Sequence, residues 1–518
     1  MDIEKNIPKD EPAVLLSAIV ERMKLKELIA TYSDAGRNEY PPKVLLKICI
    51  YGYMRKIIST REIERACREN INFMYLLNGE APPDHNTIHR FRSKHLASCQ
   101  DAILKEMAEI LQDMGELSFE NSAVFIDGTK IESVGNRYQF VWKKSVQKHM
   151  EKLQQTIREK LPGLLKSVGL RFYIEGEVKS KHLQKFRKQL CAIMKQEKIE
   201  KVSGKGKRKS QHQRVLETLE DWIGRIKSYT AKVHICGSRS SYCKTDPEAT
   251  FMRMKEDHML NGQLKPGYNI NTATVSEYVI GSYVSSDRTD TVTAIPFMEK
   301  LRSAYPVKRV VYDSGYESEE NYRYFEENPG IELYVKPANY EQKKQRKYRT
   351  DISRRENMAY DRIQDTYTCA EGKILRKVGT KHTKSSTGFV SEKTIYECGE
   401  CSGCPRKGEC IRSRSATPLD QRNKRLEVAQ YFAEQRRNMT EKISTDEGKL
   451  LRMNRSIQAE GVFAYIKTDL SFRRFMTHGK KRVGAEWTLL ALAYNVLRMH
   501  HKSRNGRLGM HLYEMVAV

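Results

Sequence analysis

The sequence has no long apolar run. Its longest, such as Ala13–Val20, stop at charged residues, well short of the ~20 residues a membrane-spanning helix needs. The opening Met1-Asp2-Ile3-Glu4-Lys5 lacks the basic start and apolar core of a secretory signal. Eleven cysteines in 518 residues are too sparse and too odd a number for a secreted disulfide framework. No internal repeat is apparent, and low complexity is confined to the Lys/Gly/Ser stretch near 203–210. These absences lead to the expectation of a soluble protein of a reducing, cytoplasmic compartment, with no membrane partner.

Charge, by contrast, is abundant. Lys and Arg number 92 against 65 Asp and Glu, a formal net charge of +27. Hydrophobic residues are 39% and charged residues 30%, enough apolar content for a sizeable core and against wholesale disorder. The positive charge is clustered: Val178–Arg214 holds 13 Lys/Arg and two Asp/Glu, and Lys343–Arg349 forms a second cluster. Clustered cations are the footprint of a polyanion partner, and nucleic acid is the commonest large one inside a cell. Within the first cluster Lys205, Lys207, Arg208 and Lys209 are candidate phosphate contacts.

At roughly 150 residues per domain the length suggests about three domains. Residues 1–118 read as helix throughout. Ser59-Thr60-Arg61-Glu62 fits a capping box, and Asp84 can cap a following helix that carries His89, Arg90 and Arg92. That pair suits a helix-turn-helix reader of a DNA groove, or equally an ordinary helical hairpin. Residues 119–335 turn to strands: Val124-Phe125-Ile126 ending in Asp127-Gly128, a hairpin of Tyr268–Val275 with Tyr278–Val284, then Val310-Val311-Tyr312 and Ile331–Val335 with helices between. A basic helical insertion, about 143–235 and broken at Pro162-Gly163, interrupts them. Without it the order is β-β-β-α-β-α-β. Residues 336–445 read as irregular, 446–503 as helical and 504–518 as a tail.

Asp127 and Asp313 each end an apolar strand. A partly buried carboxylate needs donors, a cation or a metal, although Asp also commonly ends a strand by starting a turn. As a pair on one sheet they gain interest, because ligands gather at strand ends. Glu460 and Lys467 are seven residues apart, two helical turns, and so project from one helix face. Three carboxylates suit two divalent cations, Mg²⁺ or Mn²⁺, which activate an attacking hydroxyl and a leaving oxygen at phosphorus. Glu317, Asp469 and Glu486 are nearby acids outside this set.

Phe125-Ile126-Asp127-Gly128-Thr129-Lys130, Lys244–Thr250, Tyr312-Asp313-Ser314-Gly315-Tyr316, Arg455–Gly461 and Phe472-Arg473-Arg474-Phe475 occur in an order that resembles DDE transposases of bacterial insertion sequences. Tyr40–Arg92 resembles the helical N-terminal domain of such enzymes. The resemblance implies an α/β (α+β) ribonuclease-H-like mixed-sheet core interrupted by insertions. Its Asp, Asp and Glu fall on Asp127, Asp313 and Glu460, with Asp246 as supporting acid. In the Tyr, Arg, Glu, Lys pattern some members carry, Glu460 and Lys467 match. Met453 and Ser456 replace the Tyr and Arg, and Arg455 stands one residue from the missing Arg. Arg473 and Arg474, in the basic stretch after Glu460, are candidate phosphate contacts. The implied activity is binding of terminal inverted repeats, cleavage at the element ends and transfer of the 3′-hydroxyls to target DNA, by a homodimer that holds two ends. A nuclease without strand transfer, an inactive DNA-binding derivative and a zinc-dependent RNA-binding protein are the rivals.

Cys398-x2-Cys401-x2-Cys404-x5-Cys410, with Gly399, Gly403 and Gly408 for tight turns, suits a structural tetrahedral Zn²⁺. Cys369 is a substitute ligand; an iron–sulfur cluster and metal-free thiols are the alternatives.

Overall fold

A computed structural model describes residues 6–32, 40–120, 122–174, 176–204, 208–254 and 262–512. The chain divides into two compact units, Met1–Ile131 with Asn269–Val518, and Glu132–Tyr268. The strands, in chain order, are β1 (Val124–Glu132), β2 (Phe140–Trp142), β3 (Ser241–Cys243), β4 (Thr250–Arg253), β5 (Leu264–Val275), β6 (Tyr278–Ser285), β7 (Arg309–Tyr312), β8 (Glu332–Val335), β9 (Ala359–Asp361), β10 (Thr366–Thr368), β11 (Ile374–Lys384), β12 (Val390–Cys398) and β13 (Arg425–Val428).

In the first unit the sheet runs β5-β1-β7-β8, with β6 paired to β5. β1, β7 and β8 are parallel, so helices must carry the chain between them; Glu319–Glu327 does so from β7 to β8. β5 and β6 form an antiparallel hairpin whose turn residues Ser276 and Glu277 both have positive φ, as the right-handed strand twist favours in a two-residue turn. The mixture of helix and sheet is compatible with an α/β ribonuclease-H-like core and a helical N-terminus.

Two helices form the core of this unit, each buried on every side over most of its length and mainly by apolar residues. Every residue of Pro42–Met54 from Val44 onward is buried, and so is Lys480–Arg504 from Val483 to Val496. The second holds the sheet by a polar clamp. Asn495 accepts a hydrogen bond from the Val279 amide and donates one to its carbonyl, both at 2.8 Å. Gly484 permits the approach of Gln100, whose Oε1 lies 2.5 Å from where a Cβ would stand.

Several expectations need correcting. Ser59 is at the start of Thr60–Glu69, yet its side chain makes no capping bond; Asp84 does cap, accepting from the Thr87 amide at 2.6 Å. The His85–Arg90 helix does not end but passes through a π-helical stretch, Phe91–Leu96, into Ala97–Asp113. β1 does not stop at Asp127. It continues to Glu132, so the turn-like Asp127-Gly128 lies inside a strand. Residues 336–445 contain a five-stranded antiparallel sheet, β13-β12-β11-β10-β9, packed on Tyr367, Leu375, Tyr396, Leu426 and Val428.

In the second unit three helices, Lys143–Lys166, Ser180–Gln196 and Gln211–Cys236, pack around Leu153, Ile157, Leu190, Leu219 and Trp222. Pro162 lies inside the first helix instead of breaking it. The bundle hangs from the β2–β3 pair, and its ends meet where the Lys143 amide donates to Ser240 O at 2.9 Å.

Candidate active site

The parallel register places Ile126 opposite Tyr312, so the next residues, Asp127 and Asp313, fall side by side where β7 ends. Asp127 is buried, at 5% exposure, and its Oδ1 accepts from the Gly128 amide at 2.8 Å. Asp313 opens a short 3₁₀ turn, Ser314–Tyr316, by accepting from the Gly315 amide at 2.8 Å. It is therefore a turn-starting Asp as well as a strand-end carboxylate; the two readings describe one residue.

A third carboxylate that the sequence reading passed over stands with them. Asp290, in the loop after β6, receives a hydrogen bond from Asn269 Nδ2 at 2.6 Å. Its Oδ1 lies 2.6 Å from the place a Cβ on Gly128 would take, and its Oδ2 3.2 Å from that of Gly315. A Cβ at Gly128 would collide with Asp290, and one at Gly315 would crowd Asp313 and Asp290. The buried Tyr316 hydroxyl lies 3.0 Å from the Gly128 position and donates to Asn271 Oδ1 at 2.5 Å. Burial holds this hydroxyl well above the usual tyrosine range, and the charges of Asp290, Asp127 and Asp313 push it the same way.

Glu460 is half exposed, at 54% of its side chain, and approaches through an intermediary. Arg455 Nη2 pairs with Glu460 Oε1 at 2.5 Å, while its Nη1 lies 3.6 Å from Asp127 Oδ2. In an α-helix residues five apart point away from each other at 100° per residue. Here Ser456–Glu460 is π-helical, and the wider turn brings Arg455 beside Glu460. The extra residue lets Arg455 sit where an arginine four before the acid would sit in an α-helix. Lys467 lies half-buried in a second π-helical stretch, Tyr465–Asp469; π turns are rare and concentrate at functional sites.

Among the described residues no group of three or more His, Cys, Asp and Glu stands ready to hold a metal ion. The donors at hand are nevertheless carboxylate oxygens, the ligands that a hard divalent cation takes. The fully buried Asn271 has an Nδ2 without a hydrogen-bond partner among the described residues.

The other candidates distribute differently. His89, Arg90, Arg473, Arg474, Arg208 and Lys209 are exposed, and Lys209 pairs with Glu217 at 2.7 Å. Lys205 and Lys207 lie outside the described residues. Arg92 is not a surface cation: at 6% exposure it donates to Ile58 O at 2.8 Å and to the Tyr53 hydroxyl, and faces Glu486 at 3.6 Å. Burial raises the Glu486 carboxyl above its ordinary range, against the opposing pull of Arg92. Asp246 is fully buried and accepts from Ser133 Oγ at 2.5 Å and from the Tyr268 hydroxyl at 2.8 Å, a structural use of both its oxygens. Glu317 is likewise structural, held by Arg436 at 2.7 and 2.8 Å.

In the insertion Cys398 and Cys401 are buried, and Cys369 and Cys410 pack against them. Burial pushes the Cys398 thiol up to about 11, with Cys401 and Cys369 adding to the rise. Cys410 is raised by burial, against Lys424, and further by Cys369, Cys401 and Cys404. The Lys424 amide donates to Cys401 Sγ at 3.3 Å.

Comparison with known families finds transposase domains at two places. The transposase DDE domain model matches residues 368–500, and the transposase domain DUF772 matches residues 1–94. The first match takes in Glu460 and the four clustered cysteines; Asp127 and Asp313 lie outside it. No curated protein matches the chain.

Proposed function

We propose, from the premise of a DDE transposase of insertion-sequence type that the two family matches support, that this protein binds the terminal inverted repeats of its element, cuts at the ends and joins the 3′-hydroxyls to target DNA. The observation that carries the reading is the side-by-side placement of Asp127 and Asp313 at the end of β7, with Glu460 tied to Asp127 through Arg455. Asp127, Asp313 and Glu460 would hold two Mg²⁺ ions, or Mn²⁺. When bound, such cations supply activation of water or a 3′-hydroxyl and stabilisation of the leaving oxygen at phosphorus. Arg455 holds Glu460 in place and offsets the carboxylate charge near an approaching phosphate. Arg473, Arg474 and Lys467 supply phosphate contact on the same part of the chain, and His89 and Arg90 extend it from the N-terminal helices. Two ends must be held together, so the working form is a homodimer.

Mg²⁺-dependent cleavage of a duplex carrying the inverted repeat that flanks the gene, followed by joining to a plasmid, tests the reading. Cleavage without joining would make the protein a nuclease. Neither activity, with end binding intact, would make it a DNA-binding derivative.

The three-helix bundle is assigned to the DNA backbone on its charge. Replacing residues 144–239 by a short turn is expected to leave a folded protein, because Lys143 and Ser240 already touch. The slope of log affinity against log salt should flatten, since fewer counterions are released. An unchanged slope would remove the bundle from the interface. For the cysteines, Zn²⁺ held by Cys398, Cys401, Cys404 and Cys410 is the proposed structural ligation, with Cys369 alongside. Elemental analysis should find about one zinc per chain, lost in Cys401→Ser/Cys404→Ser; iron, or no metal, would overturn it.

A further inference from the structure

The second basic cluster of the sequence, Lys343–Arg349, has no part in the chemistry proposed above. Its first residue, Lys343, lines a cleft of about 650 Å³ between the five-stranded sheet and the Gln430–Lys442 helix. Arg355, Arg362, Lys377 and Arg437 line the same cleft. Three carboxylates lie among these five cations, and two of them are already engaged. Glu356 faces Arg355 at 3.5 Å, and Asp365 Oδ1 accepts from the Tyr360 hydroxyl at 2.8 Å and from that of Tyr396. Among the described residues, the charged groups of Lys343, Arg362, Lys377 and Arg437 make no ion pair. Like charges held in one cleft repel one another and attract an anion.

The aromatic side of the cleft narrows the choice of anion. Tyr360, 38% exposed, leans on the buried Tyr367 with ring centroids 4.6 Å apart, and Asp365 tethers its hydroxyl. A fixed, partly open ring beside a row of cations is the pairing that takes an unpaired nucleic-acid strand, with phosphates on the cations and a base on the ring. A duplex keeps its bases stacked inside and offers none to the ring. Strand alternation sorts the cations of β11: Lys377 lines the cleft, while the exposed Arg376 next to it stands on the other face.

We propose that this cleft binds an unpaired segment of DNA strand, its phosphates on Arg362, Lys377, Arg437 and Lys343 and one base against Tyr360. This rests on the reading of the protein as a transposase, and adds to it a single-strand site outside the set of Asp127, Asp313 and Glu460.

The test uses the full chain and a labelled oligothymidylate, with binding followed by fluorescence anisotropy over a range of salt. Arg362→Gln/Lys377→Gln/Arg437→Gln should bind the oligonucleotide at least ~10-fold more weakly and flatten the slope of log affinity against log salt by about 2, at ~0.7 per phosphate contact. These side chains are exposed, so the variant should keep the wild-type melting temperature; if it does not, Lys377→Gln alone serves. Tyr360→Leu should weaken binding at least ~5-fold and leave the slope unchanged, because stacking releases no counterions. Tyr360→Phe, which keeps the ring, should retain most of the affinity. Lys377→Gln should flatten the slope and Arg376→Gln should not. Equal effects of those two would show general attraction to a basic surface and overturn the proposal. An equal loss on the inverted-repeat duplex would make the cleft a duplex contact, and displacement of the oligonucleotide by thymidine monophosphate at similar concentration would make it a free-nucleotide site; either overturns the proposal. A wild type that binds the duplex and not the oligonucleotide overturns it while the proposed function stands. A wild type that binds neither overturns both.

Discussion

Asp127→Asn, Asp313→Asn and Glu460→Gln are each expected to lower end cleavage and strand joining by at least ~10³-fold, about 4 kcal/mol of barrier. The substitutions keep side-chain size and remove charge, so they weaken cation binding without opening a cavity. Binding to element ends should survive, because affinity comes from basic residues. Pairs of these variants should be little worse than singles, since a site missing one acid has little left to lose. Asp469, exposed and near Glu460 in sequence, is the control expected to stay near wild type. Glu317 cannot serve: its carboxylate is held inside by Arg436, and its loss would act through folding. A Glu460→Gln protein that joined ends at the wild-type rate would refute the third acid. Arg455 gives that variant a second signature, because it would lose its charged partner and keep only Asp127.

The second large effect concerns folding. Arg92→Ala is expected to destabilise the protein by about 3–5 kcal/mol, because it leaves Glu486 buried without its counter-charge. The pH dependence gives the check. Glu486 already has a raised folded pKa, and losing Arg92 raises it further. A carboxyl whose folded pKa exceeds its unfolded value binds more protons when folded, so stability falls as pH rises through that window. The penalty should therefore be larger at neutral pH and shrink as pH drops toward the ordinary carboxylate value of about 4.3. Urea unfolding at a series of pH values measures this. Arg92→Met combined with Glu486→Gln should recover most of the loss, because no buried charge then remains. An Arg92→Ala protein of wild-type stability with weakened DNA binding would return Arg92 to the DNA-contact set.

The strands that carry Asp127 and Asp313 were legible because each is a short apolar run, and burial on both faces of a parallel sheet selects such runs. The hairpin of β5 and β6 was legible because two strand-like runs flank the polar Ser276-Glu277. β1 was read too short because Asp127-Gly128-Thr129-Lys130 has the composition of a turn, and strand propensity yields to tertiary pairing. The sheet of residues 359–428 escaped notice since β11, Ile374–Lys384, is mostly exposed and charged, leaving no alternation to detect. Arg92 was misplaced because a polar residue on a helix reads as surface, and only the fold supplies Glu486 as its distant partner. Asp290 has no local signature at all: Asp287-Arg288-Thr289-Asp290 is an ordinary polar loop. The signal that could have found it is indirect, in Gly128 and Gly315, each next to or near an acid at a strand end and each needing a reason to lack a side chain.

The π-helical turn at Ser456–Glu460 also bears on how sequences like this one are compared. A helix that absorbs one surplus residue in a widened turn carries an insertion with no loop to mark it. Upstream of that turn, the face formed by Leu451 and Asn454 keeps its packing; downstream, Val462 and Phe463 keep theirs. Two chains can therefore present the same guanidinium to the same carboxylate while their letters disagree by one position. A pattern written with a fixed gap would score Ser456 as a loss and never inspect Arg455. Alignment gaps are customarily assigned to loops, but a widened turn like Ser456–Glu460, where Arg455 meets Glu460, could hold one inside a continuous helix.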